Sequence, residues 1–195
     1  MREHVTDAYV RAAKREGYRS RAAYKLMEID DRDRLLRRGA LVVDLGAAPG
    51  GWSQVARARV GPKGRVVAID LLPMEPLPGV EFVCTDFAAA GGVGMLEQQL
   101  RGATPDIVIS DLAPNISGVV VADQARSAEL AELALAFAVQ WLQPGGAFLV
   151  KAFQGESFDE FLRLMRADFA RVAVRKPGAS RSRSNEVYLL GSGKK

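Results

Sequence analysis

At 195 residues, 48% of them hydrophobic and 26% charged, the chain can bury a core of its own and has ordinary globular composition. No apolar run approaches the roughly 18 residues that cross a bilayer, the charged start carries no signal core, and a single Cys and a single His argue against a disulfide framework or a zinc centre. The expectation is one domain, cytoplasmic and monomeric, with no membrane partner and no metal. Net charge is +4 overall but unevenly spread: +4 over residues 1–40, −7 over 41–162 and +7 over 163–195. An acidic middle between basic ends points to a cationic ligand in the middle and a polyanion at the ends.

In chain order, residues 5–15 and 20–30 read as short helices broken at Gly17, a basic segment (1–39) ahead of the main body. Strands are expected at 40–45, 65–70, 80–85, 106–111, 147–153, 171–176 and 186–190. Helices are expected from 52, at 95–101, at 123–142 with Leu130, Ala134, Phe137 and Trp141 on one face, and at 157–168. Alternating βα units predict an α/β, Rossmann-like fold: a mostly parallel seven-stranded sheet with helices on both faces. The link 177–185 is too short for a crossover helix, so the last strand should run antiparallel to the one before it.

The most informative stretch is Val42-Val43-Asp44-Leu45-Gly46-Ala47-Ala48-Pro49-Gly50-Gly51-Trp52. An apolar run ends in a Gly-rich turn that opens a helix, the first βα unit of a nucleotide-binding sheet. The dinucleotide spacing of glycines is absent, and Asp44 would repel a pyrophosphate. A carboxylate there suits the sulfonium and ammonium of S-adenosylmethionine (SAM). A bare turn between strand and helix would not need Pro-Gly-Gly-Trp. Asp44, Asp70, Asp86 and Asp111 all stand at carboxyl ends of expected strands, where ligands of such sheets bind. Asp70 is placed for ribose hydroxyls and Asp86 for an adenine amino group, while Trp52 could cover an apolar part of the cofactor. Gly46, Gly50 and Gly51 would let the backbone approach it.

Lys151 interrupts an otherwise apolar strand, and a lysine there needs a partner or a task. Lys25 sits among apolar helix positions, and Glu186 opens the last strand. Arg11, Lys14, Arg15, Arg19, Arg21, Arg175, Arg181 and Arg183 are candidate phosphate contacts for that polyanion. Cys84 reads as a core residue.

The segments SRAAYKL (20–26), VDLGAAPGGWSQ (43–54), SDLAPN (110–115), VKAFQG (150–155) and SRSNEVYLL (182–190), in this order and spacing, resemble the FtsJ/RrmJ-type RNA 2′-O-methyltransferases. The resemblance spans about residues 9–190. It implies a SAM-dependent enzyme that methylates a uridine ribose in the A-loop of 23S rRNA within the 50S subunit. It also implies a catalytic set on Lys25, Asp111, Lys151 and Glu186, with SAM contacts at Gly50, Trp52, Asp70, Asp86 and Asp111. The basic, Ser-rich extension common in bacterial members is nearly absent, and Asn185 stands where a basic residue is usual. Alternatives are a 2′-O-methyltransferase for tRNA or an mRNA cap, a non-catalytic SAM-binding ribosome assembly factor, and, from fold alone, a dehydrogenase.

Overall fold

The computed structural model describes residues 3–89, 91–114, 118–155, 157–180 and 184–195, without the side chains of residues 3–7 and Val120. Helices α1 (Glu3–Glu16) and α2 (Ala22–Asp33) precede the sheet. There follow β1 (Leu41–Leu45), α3 (Gly51–Val60), β2 (Arg65–Asp70), β3 (Val80–Cys84), α4 (Gly92–Leu100), β4 (Ile107–Ser110) and α5 (Val120–Trp141). The chain ends with β5 (Ala147–Phe153), α6 (Phe158–Asp168), β6 (Phe169–Arg175) and β7 (Glu186–Lys194).

The strands form one sheet in the order β3-β2-β1-β4-β5-β7-β6. The pairs among β1 to β5 are parallel, and β7 runs antiparallel to both its neighbours, β5 and β6. The expected fold class is therefore the one observed, and the reversed strand lies inside the sheet rather than at its edge. Register pairs Lys151 with Tyr188 and Phe153 with Glu186. The start of the reversed strand is thereby brought to the carboxyl rim of the parallel strands.

Two apolar layers sandwich the sheet, which is why β1 and β4 are buried along their whole length. One face packs Val43, Val67, Val108, Phe148 and Leu189 under α4, α5 and α6. The other packs Val42, Val66, Ile109, Leu149 and Tyr188 under α2 and α3. β7 extends four residues past the expected end. Its weak strand formers, Gly191 to Gly193, are recruited by pairing with β5 and β6. A Cβ on Gly191 would come 2.7 Å from Phe169 Cγ, so packing of the ring excludes a side chain there. Cys84 is exposed at the end of β3, not a core residue as expected, because the edge strand has no neighbour beyond it.

Candidate active site

The carboxyl rim gathers the four strand-end carboxylates. Asp44 is fully buried and faces α3, where its Oδ2 accepts a 2.6 Å hydrogen bond from Ser53 Oγ. Among the described residues its Oδ1 has no hydrogen-bond partner. Burial pushes the Asp44 carboxyl up to about 7; the Ser53 bond works against this, and the charges of Asp111 and Asp70 add to it. A buried carboxylate with an unused oxygen and two acidic neighbours fits a cation and disfavours an anion. Asp70 accepts from the backbone N–H of Ala48 and of Leu72, both at 2.8 Å. That pins the Gly-rich turn to the end of β2 and still leaves lone pairs on each oxygen. Asp86 is exposed and accepts from Ala88 N–H at 2.9 Å.

The glycines answer to the protein before they answer to any ligand. Gly46 has φ +80°, and a Cβ there would meet the Leu112 backbone at 2.9 Å. The loop after β4 thus demands this glycine. Side chains at Gly50 and Gly51 would collide with Met74 and Arg19, and with Ser20, respectively. Trp52 is 3% exposed. Its Nε1–H donates to Ala22 O at 2.8 Å and its ring lies 5.6 Å from that of Tyr188. Trp52 is a wall between α2 and the sheet, not an open cover for a cofactor; the apolar ring is worth more against Tyr188 than facing water.

Beside this pocket lies a polar network that the sheet register assembles. Lys151 Nζ donates to Asp111 O at 2.8 Å and stands 3.2 Å from Asp111 Oδ1. Lys25, from α2, reaches Glu186 Oε1 at 2.6 Å and Tyr188 Oη at 3.2 Å. The Tyr188 hydroxyl in turn donates to Asp111 Oδ1 at 3.0 Å. Ser180 Oγ donates to Glu186 Oε1 at 3.0 Å. Burial raises the Glu186 carboxyl, but the Lys25 bond and charge, with Ser180 and Lys151, outweigh it and hold it below the usual range. Burial, then Asp111 and Glu186, hold the Tyr188 hydroxyl well above its ordinary value, so it stays a proton donor.

Lys25, Asp111, Lys151 and Glu186 thus come together, although 161 residues separate Lys25 from Glu186. Sequence reasoning missed Tyr188, the residue that joins the two halves. The signal was present: Glu186 and Tyr188 are two apart on a strand and share a face.

The basic candidates divide. Lys14 and Arg15 are exposed, Arg15 beside Glu16 at 3.0 Å, and Arg11 is exposed on the same helix. Arg21 is half-buried at the start of α2. Arg19 and Arg175 are corrected by their partners. The Arg19 guanidinium donates to Glu75 O at 2.6 Å, Pro76 O at 2.9 Å and Pro49 O at 3.3 Å, tying the Pro-rich loop to the Gly-rich turn. Arg175 forms a two-point bridge to Asp33 at 2.6 and 2.7 Å that staples β6 to the end of α2. Both are structural tethers with few donors left for a phosphate. Arg181 and Arg183 lie outside the described residues. Among the described residues no cluster of His, Cys, Asp and Glu could hold a metal ion.

Comparison with known proteins supplies the family. Residues 18–194 match the profile of the FtsJ-like methyltransferases. The chain is 61% identical to "Ribosomal RNA large subunit methyltransferase E" of Thiobacillus denitrificans, over 98% of this chain and 87% of that protein. It is 62% identical to the protein of the same name from Azoarcus sp., over 98% and 93%. A crystal structure from Plasmodium falciparum, named for a ribosomal RNA methyltransferase, superposes with a TM-score of 0.80 at 30% identity, over 91% of this chain and 98% of that one. Human methyltransferase-like protein 13, in complex with SAH, shares the fold alone, at a TM-score of 0.58 and 15% identity over 81% and 77%. With its profile matched from the end of the first helix to the last strand, the chain belongs to the FtsJ-like methyltransferase family and is an enzyme of that family.

Proposed function

We propose that the protein is a SAM-dependent RNA ribose 2′-O-methyltransferase acting on ribosomal RNA of the large subunit, with a uridine in the A-loop of 23S rRNA as target. The observation that carries the chemistry is the continuous network from Lys25 through Tyr188 and Asp111 to Lys151, set beside the unpartnered oxygen of Asp44. The large subunit as substrate is supported by the names of the relatives. The uridine is supported by the sequence resemblance.

SAM, when bound, supplies an electrophilic methyl group on a cationic sulfur. Asp44 and Asp111 would face its positive charges, Asp70 its ribose hydroxyls and Asp86 its adenine amino group. The turn 46–51 would carry the backbone contacts. The protein's own task is to hold one ribose hydroxyl in line and receive its proton. A lysine ammonium has three donors; Asp111 O and Oδ1 occupy two of those directions at Lys151, leaving the third for the 2′-hydroxyl. Having first released one proton to water, Lys151 Nζ keeps two N–H groups on Asp111 and takes up the hydroxyl proton on its lone pair as the oxygen is methylated. Lys25, steered by Glu186 and Tyr188, sets a positive charge near the developing oxyanion. Tyr188 fixes the Asp111 carboxylate so that Lys151 keeps one orientation.

The experiment is single-turnover methyl transfer from labelled SAM to large subunits lacking the modification, followed by mapping of ribose methylation. A 2′-O-methyl group on the A-loop uridine is expected. Label on tRNA or on a base instead, or none, overturns the reading.

A further inference from the structure

The pole of the sheet opposite the active site carries cations that no other described residue pairs. The segment joining α2 to β1 presents Arg34, Arg37 and Arg38, all exposed, and the turn after α3 presents Lys63. Among the described residues none of these four side chains has an ion pair or a hydrogen bond. The carboxylates nearby are already engaged. Asp30 accepts from Leu36 N–H at 2.7 Å and pairs with Arg59 at 3.2 Å, and Asp31 pairs with the same Arg59. Asp106 accepts from Leu41 N–H at 2.7 Å and from Gln143 Nε2 at 2.6 Å.

The segment is also stiff. Arg34 N–H bonds Asp30 O at 2.7 Å, Gly39 N–H bonds Val60 O at 2.8 Å, and Leu35 and Leu36 are buried beneath it. Arg38 lies between two clefts of about 540 and 460 Å³. The first is lined by Asp30, Asp31, Arg34 and Arg59, the second by Arg37, Asp106, Gln143 and Pro144. Arg38 Nη1 is 3.6 Å from the position of a Cβ on Gly61, so Arg38 lies against the turn that also carries Lys63. The hydrogen-bonded backbone holds the guanidinium groups at fixed points of attachment, and their fork matches phosphate oxygens.

We propose that this amino end of the sheet is a second RNA-phosphate surface, which grips a segment of folded large-subunit RNA other than the one being methylated. The inference rests on the reading of ribosomal RNA as substrate. Lys151 lies four residues along β5 from Ala147 at the amino end, roughly 13 Å at about 3.3 Å per residue. A short strand threaded past Lys151 at the carboxyl rim leaves the opposite pole empty. RNA folded so that two segments flank the enzyme fills both.

The test compares wild type with Arg37→Ala/Arg38→Ala and with Arg37→Glu/Arg38→Glu, using unmodified large subunits across a salt series. KM for the subunits should rise about tenfold for the alanine pair and further for the glutamate pair, with kcat and SAM affinity unchanged. The log–log salt slope should flatten by about one unit per lost phosphate contact. A photo-reactive residue at position 63 should crosslink to ribosomal RNA outside the methylated loop. Unchanged KM and slope, crosslinks confined to the methylated loop, or crosslinks to a ribosomal protein each overturn the proposal. If wild type itself fails to methylate large-subunit RNA, the functional reading has failed instead.

Discussion

Tyr188 donates its hydroxyl hydrogen to Asp111 Oδ1 at 3.0 Å, across the gap between β7 and the end of β4. The Tyr188 hydroxyl oxygen accepts from Lys25 Nζ at 3.2 Å, so one fully buried phenol links the two lysine–carboxylate pairs. Tyr188→Phe keeps the ring against Trp52 and removes only the link. Single-turnover methyl transfer should slow by about tenfold, since a hydrogen bond to a charged group is worth roughly 1.5–3 kcal/mol. SAM affinity should fall less than the rate, because the hydroxyl reaches the expected cofactor site only through Asp111. A wild-type rate would remove Tyr188 from the working network.

Lys151→Ala should lower the single-turnover rate by about 10²–10⁴-fold, the usual range for positioned proton transfer. Binding of SAM, followed by calorimetry, should stay within a few-fold. Lys151→Arg should not rescue, because a guanidinium stays protonated and its planar fork does not fit the two Asp111 oxygens as the ammonium does. Near-normal turnover by either variant would return Lys151 to a structural ion pair.

Asp44 should make SAM binding proton-linked. Its carboxyl sits near 7 when folded, against 3.8 as the reference. The folded chain therefore binds more protons than the unfolded one between about pH 4 and 7. Through this group the ligand-free protein loses stability as pH rises across that window. A cation placed beside Asp44 favours its ionised form. SAM affinity should thus rise from pH 6 to 8, with up to one proton released near pH 7, measured by calorimetry in buffers of different ionisation heat. Asp44→Asn should weaken binding and abolish the proton release. Proton release persisting in that variant would assign it to another group.

Arg175→Ala should destabilise the protein by roughly 1–3 kcal/mol in urea titration. It removes both bonds to Asp33 and leaves a carboxylate whose side chain is 15% exposed. The Arg175 bond holds the Asp33 carboxyl below its usual range, outweighing the opposing effect of burial. The bridge is therefore fully present above about pH 4 and is lost as pH falls through the lowered value. RNA affinity and its salt slope should not move. A flatter slope would restore Arg175 as a phosphate contact.

The local pattern determined a good deal. Arg65–Asp70 and Ala147–Phe153 are strands with the bounds their apolar runs announce. Carboxylates at strand ends and a lone lysine in a buried strand marked residues that the fold gathers at one rim, because an unpaired charge in an apolar run is costly wherever the chain folds. The short link before the last strand determined its reversal. Only the tertiary structure decided which charges are spent. Arg19 and Arg175 look like the other arginines in the sequence, yet each finds its acceptors through chain separations of 30 to 142 residues. Trp52 and Gly46 sit in the Gly-rich segment from which cofactor contacts were expected, but α2 and Leu112 claim them first. Tyr188 becomes the link of the site only because the β5–β7 register sets it opposite Lys151. Hydrophobic period is written residue by residue along the chain, whereas the partner of a long polar side chain depends on which strands end up adjacent and in what register.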